Sequence, residues 1–332
     1  MDCSSSAVTP SSRVDTLRGR INEALPDLVA DRSPAALYDP VRYVLAGGGK
    51  RLRPVLLLLV AESYGTPPKD ALPAALSVEV FHNFTLVHDD IMDDAPERRG
   101  RPTVHERWDT GTAILAGDLL MGLSYELLDR LDDPAARKAC AVFHPMVEKL
   151  CSGQALDASF EARDDVSVDE YLSMIDGKTA ALLATVFELG GIVGGASETA
   201  CRALHDAGQA VGRAFQIQDD LLDVTADSEA WGKAVGGDLV VGKKTFLTLR
   251  ALERAEGPEY DWFRRLVTEG GLPQSDVPEA RERMADLGVF QEARDAVQTH
   301  TDAARDHLAV LPDTAAATTV HWLLDRMQAR TH

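Results

Sequence analysis

The sequence predicts an all-α chain, on three observations. Apolar residues recur at spacings of three and four almost throughout, as in Leu17, Ile21, Leu25 and Leu28, in Leu119, Leu123, Leu127 and Leu131, and in Met284, Leu287 and Phe290. That period gathers them on one face of a helix. There is no run of alternating β-branched residues and no Asn-Gly hairpin signal. Two stretches, 71–93 and 198–226, are apolar on nearly all sides, as helices at the centre of a bundle are.

Taken in order, the periodicity predicts helices over 13–30, 34–46, 53–65, 71–93, 109–131, 135–151, 168–176, 179–195, 198–226, 243–255, 258–269, 276–287, 290–309 and 314–330. Asp70 is expected to cap the fourth, with Pro73 in its first turn, and Ser167 with Glu170 forms a capping box before Tyr171. The Ser/Pro-rich residues 1–12 are expected to be a disordered N-terminal tail. Nothing in the rest has the composition of a linker, so residues 13–332 are expected to form a single domain.

The chain has 332 residues and a formal net charge of −19, from 53 acids against 34 bases. Such a balance disfavours nucleic acid and anionic membrane surfaces as partners. The tail has neither the basic nor the apolar region of a signal peptide, and the longest apolar run, Val55 to Ala61, is too short to span a bilayer. A soluble cytoplasmic protein without a transmembrane segment is expected. The acidic excess is larger than any motif accounts for and points to a salty cytoplasm; stability should then rise with KCl concentration. Cys3, Cys140, Cys151 and Cys201 form no CxxC pair and are expected to be reduced thiols. There are only eight lysines, and five of them, Lys50, Lys178, Lys233, Lys243 and Lys244, fall in the segments described next.

Asp89-Asp90-Ile91-Met92-Asp93-Asp94 ends the first apolar helix. At helical spacing Asp89 and Asp93 share one face, and Asp90 and Asp94 share another. Like charges so placed cost about 0.2–0.5 kcal/mol per pair. They also stand at the helix end where the dipole disfavours anions. A divalent cation reverses both penalties, and carboxylates with phosphate oxygens suit Mg²⁺. A solvated acidic helix end is the plain alternative. Asp219-Asp220-Leu221-Leu222-Asp223 repeats the geometry at the end of the second apolar helix, where unpaired aspartates are costly. Two such motifs at the ends of core helices favour the metal reading.

Cations accompany them. Gly47-Gly48-Gly49-Lys50-Arg51-Leu52-Arg53 puts three basic residues after a glycine turn, although it is not a Walker sequence. Arg98, Arg99 and Arg101 follow the first aspartate motif, and Lys233, Lys243 and Lys244 follow the second. His82 lies two helical turns before Asp89 on the same face and is placed to donate to a further phosphate. His88 and His105 have no such rationale and are left structural. Phe84 lies five residues before Asp89 on the same helix.

GGGKRLRP, FHNFTLVHDDIMDDAPERRG, GQALD, KT, FQIQDDLLD, GK and GDLVVGKKT occur in this order. The set resembles the trans-isoprenyl diphosphate synthase family, the polyprenyl synthetases that make farnesyl and geranylgeranyl diphosphates, over about residues 40–250. The resemblance implies the isoprenoid synthase fold, antiparallel helices around a deep central cavity, in a homodimer. It implies head-to-tail condensation of isopentenyl diphosphate with dimethylallyl, geranyl or farnesyl diphosphate, releasing diphosphate. By that likeness Asp89 and Asp93 hold two Mg²⁺ ions and Asp219 a third, with Asp220 and Asp223 supporting it. Arg98, Lys178, Lys233 and Lys244 grip the allylic diphosphate, with Lys243 in a less defined role. Lys50, Arg53, His82 and Arg99 hold isopentenyl diphosphate. Gln154 and Asp157 line the cavity, and Thr179 and Gln216 lie near the developing carbocation.

Chain length is expected to be set by Phe84 and Thr85, just before the first motif. The motif lacks the longer DDxxxxD insertion, which is similar to the archaeal-type enzymes and favours a geranylgeranyl product, with farnesyl as the alternative. A class I terpene cyclase shares one DDxxD but differs in its second metal motif and needs no isopentenyl site. An inactive partner subunit typically loses aspartates that this chain keeps.

Overall fold

The structure is a computed structural model describing residues 9–226 and 235–329. In chain order its helices are α1 (Pro10–Asp27), α2 (Ala35–Leu45), α3 (Leu52–Ser63), α4 (Pro68–Met92), α5 (Val104–Arg107), α6 (Thr110–Leu128), α7 (Asp133–Glu161), α8 (Val168–Ile175), α9 (Ala181–Gly194), α10 (Glu198–Thr225), α11 (Gly237–Val240), α12 (Phe246–Arg254), α13 (Gly257–Thr268), α14 (Val277–Asp286), α15 (Val289–Leu308) and α16 (Ala315–Gln328). A π-helical turn, Asp176–Ala180, joins α8 to α9. Among the described residues the only strands are β1 (Glu97–Arg98) and β2 (Arg101–Pro102), an antiparallel pair with Arg98 opposite Arg101. The all-α expectation holds.

The boundaries differ where local chemistry outweighs periodicity. α1 starts at Pro10 because the Thr9 hydroxyl accepts from Ser12 N–H and a proline stands first. The end of the expected tail is therefore helical; residues 1–8 lie outside the described residues. α4 starts at Pro68, so Asp70 sits in the first turn instead of capping it. The capping box of Ser167 and Glu170 is present on α8. α7 continues ten residues past the expected end at 151, through Gly153 to Glu161.

The chain divides into two compact units, Met1–Phe143 with Val186–Arg202 and Leu311–Val320, and His144–Thr185 with Ala203–Val310 and His321–His332. Most of the division points fall inside helices, which is why composition shows no linker. In the first unit, Val55 through Ala61 are fully buried on α3, and Ser77 of α4 donates to the Ser124 carbonyl of α6 at 2.7 Å. In the second, Phe160, Tyr171, Ile217, Leu247, Phe263, Met284 and Val289 belong to one core cluster. The helix α6 and the stretch Val168–Gly194 are long and apolar enough, by length and composition, to cross a membrane. About two-thirds of the second stretch, 67%, is buried within the fold, as in a core helix.

Candidate active site

In the first unit the glycine turn is folded down by one of its own basic residues. Arg51 has a left-handed φ of 49° just before α3. Its buried guanidinium pairs with Glu79 of α4 and donates to the Gly47 carbonyl at 2.7 Å and to Asn22 Oδ1 at 3.0 Å. Arg51 is therefore structural, which leaves Lys50, which is exposed, and the partly buried Arg53 as ligand candidates. Arg53 Nη1 lies 3.2 Å from His82 Nε2, and its Nε is buried without a hydrogen-bond partner. A Cβ on Gly49 would fall 2.7 Å from Arg99 Nη1; the guanidinium fills that gap and donates to the Gly48 carbonyl.

The electrostatics here favour an anion. Burial, then Arg53, Arg99, Arg98 and Arg51, push the pKa of His82 well below its ordinary value. Four guanidiniums meet two carboxylates, Glu79 and Asp90. Beside them lies a cavity of about 210 Å³ lined by Tyr43, Gly47, Asp90, Arg98, Arg99 and Arg101. With Nε2 accepting from Arg53, the neutral His82 carries its proton on Nδ1, 3.5 Å from Thr85 Oγ1, so donation to a phosphate through Nε2 would require giving up the Arg53 bond.

The first aspartate motif splits into separate roles. Asp89 lies in the last turn of α4, and Asp93, its C-cap, donates its backbone N–H to the Asp89 carbonyl at 2.9 Å. Asp90 is buried and accepts from Arg98 Nε at 2.7 Å; burial raises its pKa and Arg98 opposes the shift. Asp94 has a φ of 47° and has left the helix, so the expected face shared with Asp90 does not form. Phe84 is 8% exposed, with its ring 5.2 Å from Phe81 and 4.8 Å from His88. The Thr85 hydroxyl donates back to the His82 carbonyl.

In the second unit the KT motif lies on the π-helical turn. Two glycines let this turn approach α7: a Cβ on Gly153 would fall 2.2 Å from Lys178 N, and one on Gly177 would fall 2.5 Å from the Lys149 carbonyl. Arg213 of α10 clamps the turn through both Asp176 oxygens, each at 2.5 Å. The extra residue of a π turn re-aims the side chains after it. Lys178 meets Asp157 of α7, and the Thr179 hydroxyl donates to Gln216 Oε1 at 3.0 Å.

Asp219 and Asp223 lie one turn apart on α10, and the backbone N–H of Asp238 donates to Asp223 Oδ2 at 3.0 Å. Burial pushes the pKa of Asp223 up to about 6, with Asp238 and then Asp219 adding to the shift. Crowded hard-oxygen donors that resist sharing their charge fit a divalent cation such as Mg²⁺. Asp220 departs from its expected supporting role at the third metal ion, because its oxygens are taken up within the fold. It is 5% exposed and accepts from Tyr171 Oη at 2.6 Å, Phe246 N at 3.0 Å and Gln216 Nε2 at 3.1 Å.

The lysine pair also needs correcting. Lys244 is buried and donates to the Glu161 carbonyl at 3.2 Å, so it is poorly placed to grip a diphosphate. The Lys243 side chain is 46% exposed and lies 3.9 Å from Asp238. Lys233 lies outside the described residues.

Residues 34–284 match the polyprenyl synthetase family model. The chain belongs to the polyprenyl synthetase family. It is 40% identical over 312 residues to the short chain isoprenyl diphosphate synthase of Methanothermobacter thermautotrophicus, covering 94% of this chain and 95% of that one. It is 39% identical to the geranylfarnesyl diphosphate synthase of Natronomonas pharaonis, covering 97% and 98%. The crystal structure of geranylgeranyl pyrophosphate synthetase from Pyrococcus horikoshii superposes with a TM-score of 0.90 at 35% identity, covering 96% of this chain and 99% of that one. These likenesses bear out the isoprenoid synthase fold for this polyprenyl synthetase. Reading the sequence missed Tyr171 as a partner of the second motif and assigned no role to Asp90. Asp238 entered only as the second residue of the GDLVVGKKT motif, and that position was the available signal.

Proposed function

We propose that this chain is a magnesium-dependent trans-prenyltransferase that condenses isopentenyl diphosphate head-to-tail with dimethylallyl, geranyl and farnesyl diphosphates. One observation carries the reading. On α4, Asp89 and Asp93 end the helix, and His82, beside Arg53 within the arginine cluster, lies two turns earlier. Seven residues of helix rise about 10 Å. A metal-ligating end and a separate anion site on one helix suit a reaction with two diphosphates; a cyclase needs only one.

In this reading Asp89, Asp93, Asp219 and Asp223 hold three Mg²⁺ ions. The metal supplies Lewis-acid stabilisation of the leaving diphosphate. Arg98, held by Asp90, binds the allylic diphosphate with Lys178, Lys233 and Lys243. Lys50, Arg53 and Arg99 bind isopentenyl diphosphate, with His82 orienting Arg53. The oxygens of Thr179 and Gln216 face the developing allylic cation. Phe84 limits the growing chain, and the proposed product is geranylgeranyl diphosphate.

Calorimetric titration of the two substrates separately tests the two-site reading. Arg53→Ala should abolish isopentenyl diphosphate binding and spare the allylic diphosphate; equal loss of both would contradict it. A homodimer is also proposed. On α6, Ile114 and Leu115 are 43% and 59% exposed, an apolar face that a second copy would cover. Light scattering should give twice the chain mass.

A further inference from the structure

The second unit contains a buried chain of hydrogen bonds that fixes which way a side-chain amide points. Asp220 Oδ1 accepts from Gln216 Nε2 at 3.1 Å. Asp220 Oδ2 accepts from Tyr171 Oη at 2.6 Å and from Phe246 N–H at 3.0 Å. Tyr171 is 2% exposed, and Phe246 opens α12, so the carboxylate also meets the positive end of a helix. Burial, with Asp238, pushes the Asp220 pKa up to about 7, and the three donors from Tyr171, Gln216 and Phe246 oppose that shift and favour the ionised, accepting form.

The consequence lies at Gln216. Its two terminal atoms differ in sign, and turning the amide over exchanges them. An acceptor at Asp220 obliges the NH₂ group to face that side, because an oxygen there would oppose another oxygen. Gln216 Oε1 must then face the other way, where it receives the Thr179 hydroxyl at 3.0 Å. The Thr179 proton is thereby committed to Gln216, and the lone pairs of both oxygens are left to line the same locality. Without the anchor the amide can rotate and present N–H, reversing the local dipole.

We propose that Tyr171 and Asp220 are positioning residues that lock the Gln216 amide with its oxygen toward the developing cation. The inference rests on the reading above that Thr179 and Gln216 stand beside that cation. A preorganised dipole aimed at developing charge lowers the barrier, whereas one free to turn must be reoriented in each turnover.

A double-mutant cycle tests it, with kcat and the KM of both substrates measured for wild type, Tyr171→Phe, Gln216→Ala and the double variant. Tyr171→Phe should lower kcat between about tenfold and a hundredfold. It should leave both KM values within about twofold, as expected for an interaction that acts in the transition state. In the Gln216→Ala background the same substitution should change kcat by less than about twofold, because the group it positions is gone. An equal loss of kcat in both backgrounds, or a rise in KM at constant kcat, would overturn the positioning role alone. Wild-type kcat in Gln216→Ala itself would instead remove Gln216 from the cation and the inference with it. Should Tyr171→Phe fail to fold, Asp220→Asn replaces it in the same cycle with the same outcomes.

Discussion

Arg53 Nη1 lies 3.2 Å from Nε2 of His82, and the contact requires a neutral imidazole. Burial and four arginines hold the His82 pKa well below its unfolded value of about 6.5. With the folded pKa depressed, the stabilisation is fully present above about pH 6.5. It is lost as pH falls, because the unfolded chain then gains a proton that the folded one refuses. Urea unfolding midpoints should therefore fall more between pH 7 and pH 5 for wild type than for His82→Gln. Equal falls would show that the imidazole carries no such linkage.

Asp89 and Asp94 belong to one run of sequence but not to one helix. Asp89→Ala should cost at least about a hundredfold in kcat, the scale of removing one electrostatic stabiliser. Asp94 sits at φ 47°, where asparagine is tolerated, so Asp94→Asn should stay within about threefold of wild type. Steady-state assays at saturating Mg²⁺ decide between them, and comparable losses in both variants would refute the assignment.

Lys243 and Lys244 are neighbours with opposite surroundings. Lys243→Ala should raise the KM for the allylic diphosphate about tenfold with little change in melting temperature, since it removes one charged hydrogen bond to ligand. Lys244→Ala leaves the Glu161 carbonyl without its ammonium donor and should instead cost about 1–3 kcal/mol of stability. Thermal melts and kinetics on the two variants would show the effects exchanged if the lysines have been confused.

Phe84 packs against Phe81, whose ring is also 5.1 Å from that of Phe143. Phe84→Ala should release longer prenyl products and, by opening a cavity in this aromatic group, cost about 3–5 kcal/mol of stability. Product chromatography with a melting curve separates the two effects. Unchanged chain length would remove Phe84 as the stop.

The legible part of the molecule was its periodic part. α4 stood out because it is apolar around most of its surface and ends in aspartates; α10 is instead apolar on one face only, and its aspartates stood out by repeating the first motif. The less legible part depends on contacts distant in sequence. Gly153 reads as a helix breaker, yet α7 runs through it because Gly177 packs there. The π turn carrying Lys178 and Thr179 has no periodic signature of its own. Asp219 and Asp220 are identical residues side by side, and Tyr171, 49 residues away, and Phe246, 26 residues away, show that Asp220 is taken up by the fold. Arg51, Lys50 and Arg53 read alike as basic residues until Glu79 singles out Arg51.

The most direct test of prenyl transfer is one incubation of the full chain with labelled isopentenyl diphosphate, Mg²⁺ and each allylic diphosphate in turn, with the product chain length read by chromatography. The account predicts condensation that depends on Mg²⁺ and ends at geranylgeranyl diphosphate. No condensation with any of the allylic starters would contradict it.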